Sequence, residues 1–95
     1  MTNEFSTIYN HHERSVFDAV QAALANYPQL ADQQLLADIA CVALNRLPPR
    51  YIRHEVDFSF YLTDRERSDN ERAIQEAVTF AFEFVQARVA MRARK

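Results

Sequence analysis

Three arginines and a tyrosine crowd a double proline in the run Arg46-Leu-Pro-Pro-Arg50-Tyr51-Ile-Arg53. A guanidinium is a rigid planar fork of donors that matches a phosphate, a carboxylate or a guanine edge. A phenol ring adds a face on which a planar base can stack. No acid stands between Ile39 and His54 to neutralise these cations. The chemistry on offer is capture of one small anion or one planar base at a stiff turn. The competing reading is a solvated helix end, where cations merely complement the macrodipole.

Other chemistry is poorly served. His11, His12 and His54 are the only imidazoles, and adjacent His11 and His12 would diverge by about 100° on a helix, so they do not converge on one atom. Cys41 lies among Ile39, Ala40, Val42 and Ala43, where a thiol is usually an inert small hydrophobe. A Cys41–His54 pair is the remaining route to nucleophilic catalysis, and nothing in the spacing recommends it. There is no Cys-x-x-Cys and no His-x-x-x-His, so no metal site is expected. The chain has no glycine, which excludes the phosphate-cradling loops of nucleoside triphosphatases and dinucleotide-binding folds.

The elements that must position the turn read as helices. Ile39, Val42, Ala43 and Leu47 recur at helical spacing, with Leu35 and Leu36 ahead of them and Asp32 as the cap. Pro48 then ends that helix, because it disfavours the α conformation at Leu47 and donates no N–H. A first helix is expected from Asn3 or Ser6 to Asn26, with Tyr9, Val16, Val20, Leu24 and Tyr27 on one stripe and Ile8 and Phe17 widening it. After the turn, Val56, Phe58, Phe60 and Leu62 alternate with Asp57, Ser59 and Tyr61, the period-two pattern of a half-buried strand. No second strand is evident to pair with it. The same strand of a second copy across a two-fold axis is one remedy, and an extended loop packed on the helices is the other. Thr63-Asp-Arg-Glu66 and Ser68-Asp-Asn-Glu71 are both capping boxes for a last helix that runs to about Arg94. Its stripe is Ile74, Ala77, Val78, Ala81, Val85 and Val89. Phe80, Phe82 and Phe84 spread farther round the cylinder, which suggests a core on one side and a dimer interface on the other.

Ninety-five residues, 48% hydrophobic and 12% aromatic, make one small folded domain spanning 1–95. The net charge of −2 argues against non-specific nucleic-acid binding. So do the seven acids set against three arginines between Glu55 and Glu76. Ten of the eleven basic residues are Arg, a bias that fits specific anion contacts or a GC-rich genome. A single cysteine, no basic-plus-apolar leader and no membrane-length apolar run lead to the expectation of a cytoplasmic protein.

The stretch Asp38-Ile-Ala-Cys-Val-Ala-Leu-Asn45 followed by Arg46-Leu-Pro-Pro-Arg-Tyr-Ile52 resembles the signature of the ComFB family, named for a late-competence protein of bacteria. Ile8-Tyr9-Asn10 with Glu13 and Val16 is similar to that family's N-terminal helix, and the long last helix is similar too. The resemblance implies a small helical domain that forms homodimers, has no known catalytic activity and needs no cofactor. It also implies a receptor for cyclic di-GMP, linked in the family to competence, motility or cell-size control. Carried over by position, the binding residues would be Asn10, Asp38, Asn45, Pro49 and Tyr51, with Asp38 accepting from guanine N1 and N2. Arg46, Arg50 and Arg53 join them on charge and proximity. Some members of the family carry several cysteines just before the central Asp. The corresponding linker here, Asn26-Tyr-Pro-Gln-Leu-Ala-Asp32, has none.

The expectation is therefore a mostly α domain of three main helices and one short strand, assembled as a two-fold homodimer. Its expected role is that of a non-enzymatic cyclic di-GMP receptor that signals to a protein partner. The alternative is an adaptor dimer without a small ligand, in which Asp38 and Asn45 only bond to backbone at a helix–turn junction.

Overall fold

The chain has no glycine to adopt a left-handed cap, and two of its helices stop instead by running into extended backbone. The computed structural model describes residues 4–94, and none of them has a positive φ. Leu47 ends its helix at φ −104°, ψ 137°, the extended geometry that the following Pro48 favours. Leu62 ends another at φ −76°, ψ 130°.

The order is β1 (Tyr9–Asn10), α1 (His12–Ala23), α2 (Gln33–Arg46), β2 (Tyr51–Ile52), α3 (Glu55–Tyr61) and α4 (Asp64–Ala93), with short 3-10 turns at Phe5–Thr7, Leu24–Asn26 and Pro28–Leu30. The two strands pair antiparallel, Tyr9 opposite Ile52 and Asn10 opposite Tyr51. At 1.5 Å per residue the 30-residue α4 is about 45 Å long. It sets the longest dimension of a slab measuring 48 × 40 × 20 Å.

α1 and α2 both pack on α4. Val16 and Val20 from α1, Ile39, Ala40 and Ala43 from α2, and Ile74, Ala77, Val78, Ala81, Phe82 and Val85 from α4 are buried, joined by Leu30 and Leu47. The small residues on α2 and α4 let the two backbones approach, and Phe82 fills the space between all three helices. Tyr27 stacks on Phe82 with ring centroids 4.5 Å apart. The caps are local and strong. Asp32 Oδ1 accepts from Gln34 N at 2.8 Å and Leu35 N at 3.2 Å, and Thr63 Oγ1 accepts from Glu66 N at 3.1 Å.

Four α-helices and a two-stranded sheet among the described residues replace the expected three helices and one strand, α1 ends at Ala23 rather than Asn26, and three local expectations are corrected. α1 begins at His12, while Ile8 is extended and Tyr9–Asn10 form β1 rather than the start of a helical stripe; Asn3 lies outside the described residues. The reason is that Tyr9 and Asn10 find backbone partners in Ile52 and Tyr51, far along the sequence. The 56–62 segment is helix α3, not a strand, so no strand there pairs across a two-fold axis. A seven-residue helix closes its own hydrogen bonds, which an unpartnered strand cannot do. Acidic Glu55 and Asp57 sit favourably in its first turn. Arg67 Nη2 donates to the Ser59 carbonyl at 2.6 Å and satisfies its far end. The apolar residues then split between faces. Phe58 and Leu62 turn inward, while Val56 and Phe60 are 82% and 84% exposed. Finally, Cys41 is exposed on α2 rather than part of the apolar interior.

Phe82→Ala should destabilise the protein by about 3–5 kcal/mol, since it opens a cavity where three helices meet. Urea or guanidinium unfolding of the variant against wild type measures it.

Candidate functional site

The double-proline turn is anchored by one side chain. Asn10 Oδ1 accepts from the amide of His12 at 3.2 Å, capping α1, and from the amide of Arg50 at 3.1 Å. Arg50 returns the contact, its carbonyl accepting from His11 N at 2.6 Å. Glu13 Oε1 accepts from Asn10 N at 3.3 Å. Asn10 is only 9% exposed, so these bonds form largely away from competing water.

Beside the anchored turn lies an open cleft of about 340 Å³. It is lined by Pro48, Pro49 and Arg50 of the turn, by Phe58 of α3 and by Leu62, which caps that helix. The N-terminal part of α4 supplies Glu66, Asp69, Asn70 and Ala73, and His12 and Leu47 complete the lining. The Arg50 guanidinium lies over the Phe58 ring, 4.6 Å from its centroid, and makes no ion pair among the described residues. His11 meets the same ring edge-on at 4.3 Å. A cation held on an aromatic face is oriented without being neutralised. Such a guanidinium can bind an anion, and the carboxylates that also line the cleft can accept from donor groups.

His12 is buried at 8% exposure. Burial lowers its pKa from the ordinary 6.5, the charges of His11 and Arg50 push the same way, and the Pro48 carbonyl acts against them. It is therefore held neutral beside the turn.

The residues singled out in the sequence fall into groups. Asn10, Pro49 and Arg50 meet at the turn, with Asn10 as its anchor and Arg50 in the cleft. Tyr51 follows in β2 and is 67% exposed. Arg53 is directed toward the N-terminal segment, donating from Nε to Thr7 Oγ1 at 2.9 Å and pairing with Glu4 at 3.8 Å. Arg46 stacks on Phe80 of α4, 3.8 Å from the ring centroid. Asn45 Nδ2 donates to the Cys41 carbonyl at 3.0 Å, a bond within α2. Asp38 pairs with Arg88 at 3.6 Å. That pair stands eighteen residues along α4 from Asn70, or about 27 Å. The fold thus brings Asn10, Pro49 and Arg50 together and leaves Asp38 apart from them.

Phe58, Leu62, Glu66, Asp69 and Asn70 were missed by sequence reasoning. A signal was present: Phe58 and Leu62 are four apart, and Glu66, Asp69, Asn70 and Ala73 continue the helical spacing of α4 beyond the end of its apolar stripe. Among the described residues, no three of His, Cys, Asp and Glu are grouped to hold a metal ion, and no helix is long and apolar enough to cross a membrane.

A family model described as late competence development protein ComFB matches residues 9–89. No curated protein and no solved structure matches the chain.

Two predictions follow from the anchor and its histidine neighbour. Asn10→Ala leaves the His12 and Arg50 amides without their acceptor and should cost about 2–3 kcal/mol, read by chemical denaturation. Because the folded state resists protonating His12, the unfolded chain binds more protons once pH drops toward 6.5. Stability should therefore fall as pH is lowered through that value, and His12→Asn should remove that part of the slope in a pH series of melting temperatures.

Proposed function

The chain belongs to the ComFB family, its match covering residues 9–89, and on that premise we propose that it is a non-enzymatic receptor for a cyclic dinucleotide, cyclic di-GMP, which it reports to a protein partner. The observation that carries the reading is Arg50, an unpaired guanidinium parked over Phe58 at the rim of a cleft built by the family signature. The cleft volume of about 340 Å³ lies in the range of small-ligand sites and suits one nucleotide half of the ligand. Arg50 takes a phosphate. Tyr51 follows it in β2 and is exposed, offering a stacking face.

The working unit in this proposal is a two-fold homodimer. A 95-residue globular chain has an expected radius of gyration of about 12–13 Å, and this one measures 15.6 Å. The slab leaves Phe84 and Met91 of α4 exposed at 46% and 69%, surface that a second copy would cover. A second copy is also the means by which Asp38, Asn45 and Arg46 would approach a ligand held at Arg50. The ligand is itself two-fold symmetric, which matches an isologous pair.

The adaptor reading draws on a different observation. Val56, Phe60 and Tyr61 leave an apolar outer face on α3, suited to a protein partner whether or not a nucleotide binds.

Cyclic di-GMP should raise the melting temperature saturably, because it binds only the native state. Cyclic di-AMP and GTP serve as comparisons, with calorimetry on any hit. Arg50→Ala should weaken binding at least about tenfold, the cost of a lost charge-assisted contact, while leaving the fold intact. Wild-type binding by Arg50→Ala removes Arg50 from the site, and no shift with any nucleotide favours the adaptor.

A further inference from the structure

The cleft has a second group that can carry positive charge, and it is tied to the same joint as Arg50. The backbone amides of His12 and Arg50 both donate to Asn10 Oδ1, at 3.2 and 3.1 Å. Both residues line the cleft. Their charge states differ. Arg50 is permanently cationic, while His12, more than nine-tenths buried, is held neutral.

The surroundings of His12 account for its state. Burial acts first, the charges of His11 and Arg50 add to it, and the Pro48 carbonyl favours the charged ring. The His11 ring lies 5.6 Å away on the same segment. Glu13 follows on α1, where its carboxylate accepts from the Asn10 amide. Glu66 and Asp69 are the acids of α4 that line the cleft, and Phe58, Leu62 and Leu47 bring no charge to it. Arg50 is therefore the charge from the turn that opposes protonation of His12, and a bound anion would offset it.

An anion in the cleft reverses the balance. It neutralises Arg50 and adds a negative charge of its own, and both changes favour the imidazolium. We propose that His12 is the proton-accepting partner of Arg50: when a phosphate binds Arg50, the His12 ring takes up a proton from solvent, and the cleft holds its anion more tightly as the pH falls. The inference rests on the reading of Arg50 as the phosphate-binding group and deepens it. A phosphodiester stays ionised throughout the range in which imidazole titrates, so a proton taken up on binding has to land on the protein. The sign is opposite to that of the free protein. There, protonating buried His12 costs stability; in the complex it adds to affinity.

The test is calorimetric titration of the full chain with cyclic di-GMP from about pH 8 to about pH 5.5, in buffers of different ionisation enthalpy that report protons taken up on binding. Affinity should rise about tenfold over that range, the gain expected if the anion strengthens proton binding at His12 by the same factor. His12→Asn should lose both the proton uptake and the pH dependence, and melting curves without ligand check that it folds. A second readout is independent of the nucleotide. The His12 imidazole signal, followed by NMR against pH with sulfate added at constant ionic strength, should titrate at higher pH in wild type and not respond to sulfate in Arg50→Ala. Nucleotide binding without proton uptake overturns the assignment and leaves the receptor reading standing. So does uptake that persists in His12→Asn, since it then belongs to His11 or His54. A wild type that binds no nucleotide overturns the receptor reading, and a His12 signal that sulfate does not move then overturns this assignment as well.

Discussion

Asn10 holds together two parts of the chain that are forty residues apart. Its carbonyl oxygen has two lone pairs, and each has a separate use: one caps α1 at His12, the other fixes Arg50 of the double-proline turn. An aspartate would accept both bonds but bring a buried charge, and a serine would be too short to span them. The prolines have no N–H of their own to tie the turn down, so the Arg50 amide is the first donor after Leu47 by which the turn can be anchored. The pairing of β1 with β2, the seat of His12 and the direction of the Arg50 side chain all follow from that choice. In this light the Asn-x-x-Glu near the start and the Pro-Pro-Arg-Tyr in the middle are two halves of one joint.

The cleft exists because the core stops before α4 does. α1 and α2 cover α4 from Ile74 to Val85, and its first turns project past them. α3 folds back over that projection, held where Arg67 reaches the Ser59 carbonyl. A space remains, lined by the anchored turn, by Phe58 and Leu62 and by these turns of α4.

Features that depend on near neighbours were legible in the sequence. Asp32 caps α2, Pro48 stops it, Thr63 caps α4, and the Ile74–Val85 stripe faces inward, each as spacing and residue type required. Features that depend on distant partners were not. The two-residue strands carry no periodicity, and their pairing is set by the Asn10 joint. The alternation at 56–62 was real, but over seven residues a period of two shares Phe58 and Leu62 with a helical face. The absence of any pairing strand was the clue that favoured helix. Cys41 was misjudged for a related reason: its neighbours Ile39, Ala40 and Ala43 are buried, yet its own position on α2 turns outward. At the cleft, Arg50 could be found from charge alone. Phe58, Glu66 and Asp69 could not, since nothing local links them to the turn.

The arginines of the chain differ in how far their charges are already committed. Arg53 and Arg88 are held by acids, and an incoming anion would have to displace a carboxylate to reach them. Arg46 is stacked on Phe80 as part of the α2–α4 contact. Arg50 has neither encumbrance. The face of Phe58 orients it and the Asn10 joint fixes its backbone, yet its donors stay unneutralised. An exposed ion pair contributes at most about 1 kcal/mol, so stability alone gives little reason to withhold a partner from this guanidinium or to provide one. Binding gives a reason to withhold it. In the proposed receptor, a charge that is oriented and uncommitted would gain its full interaction with a phosphate, with little ordering left to do.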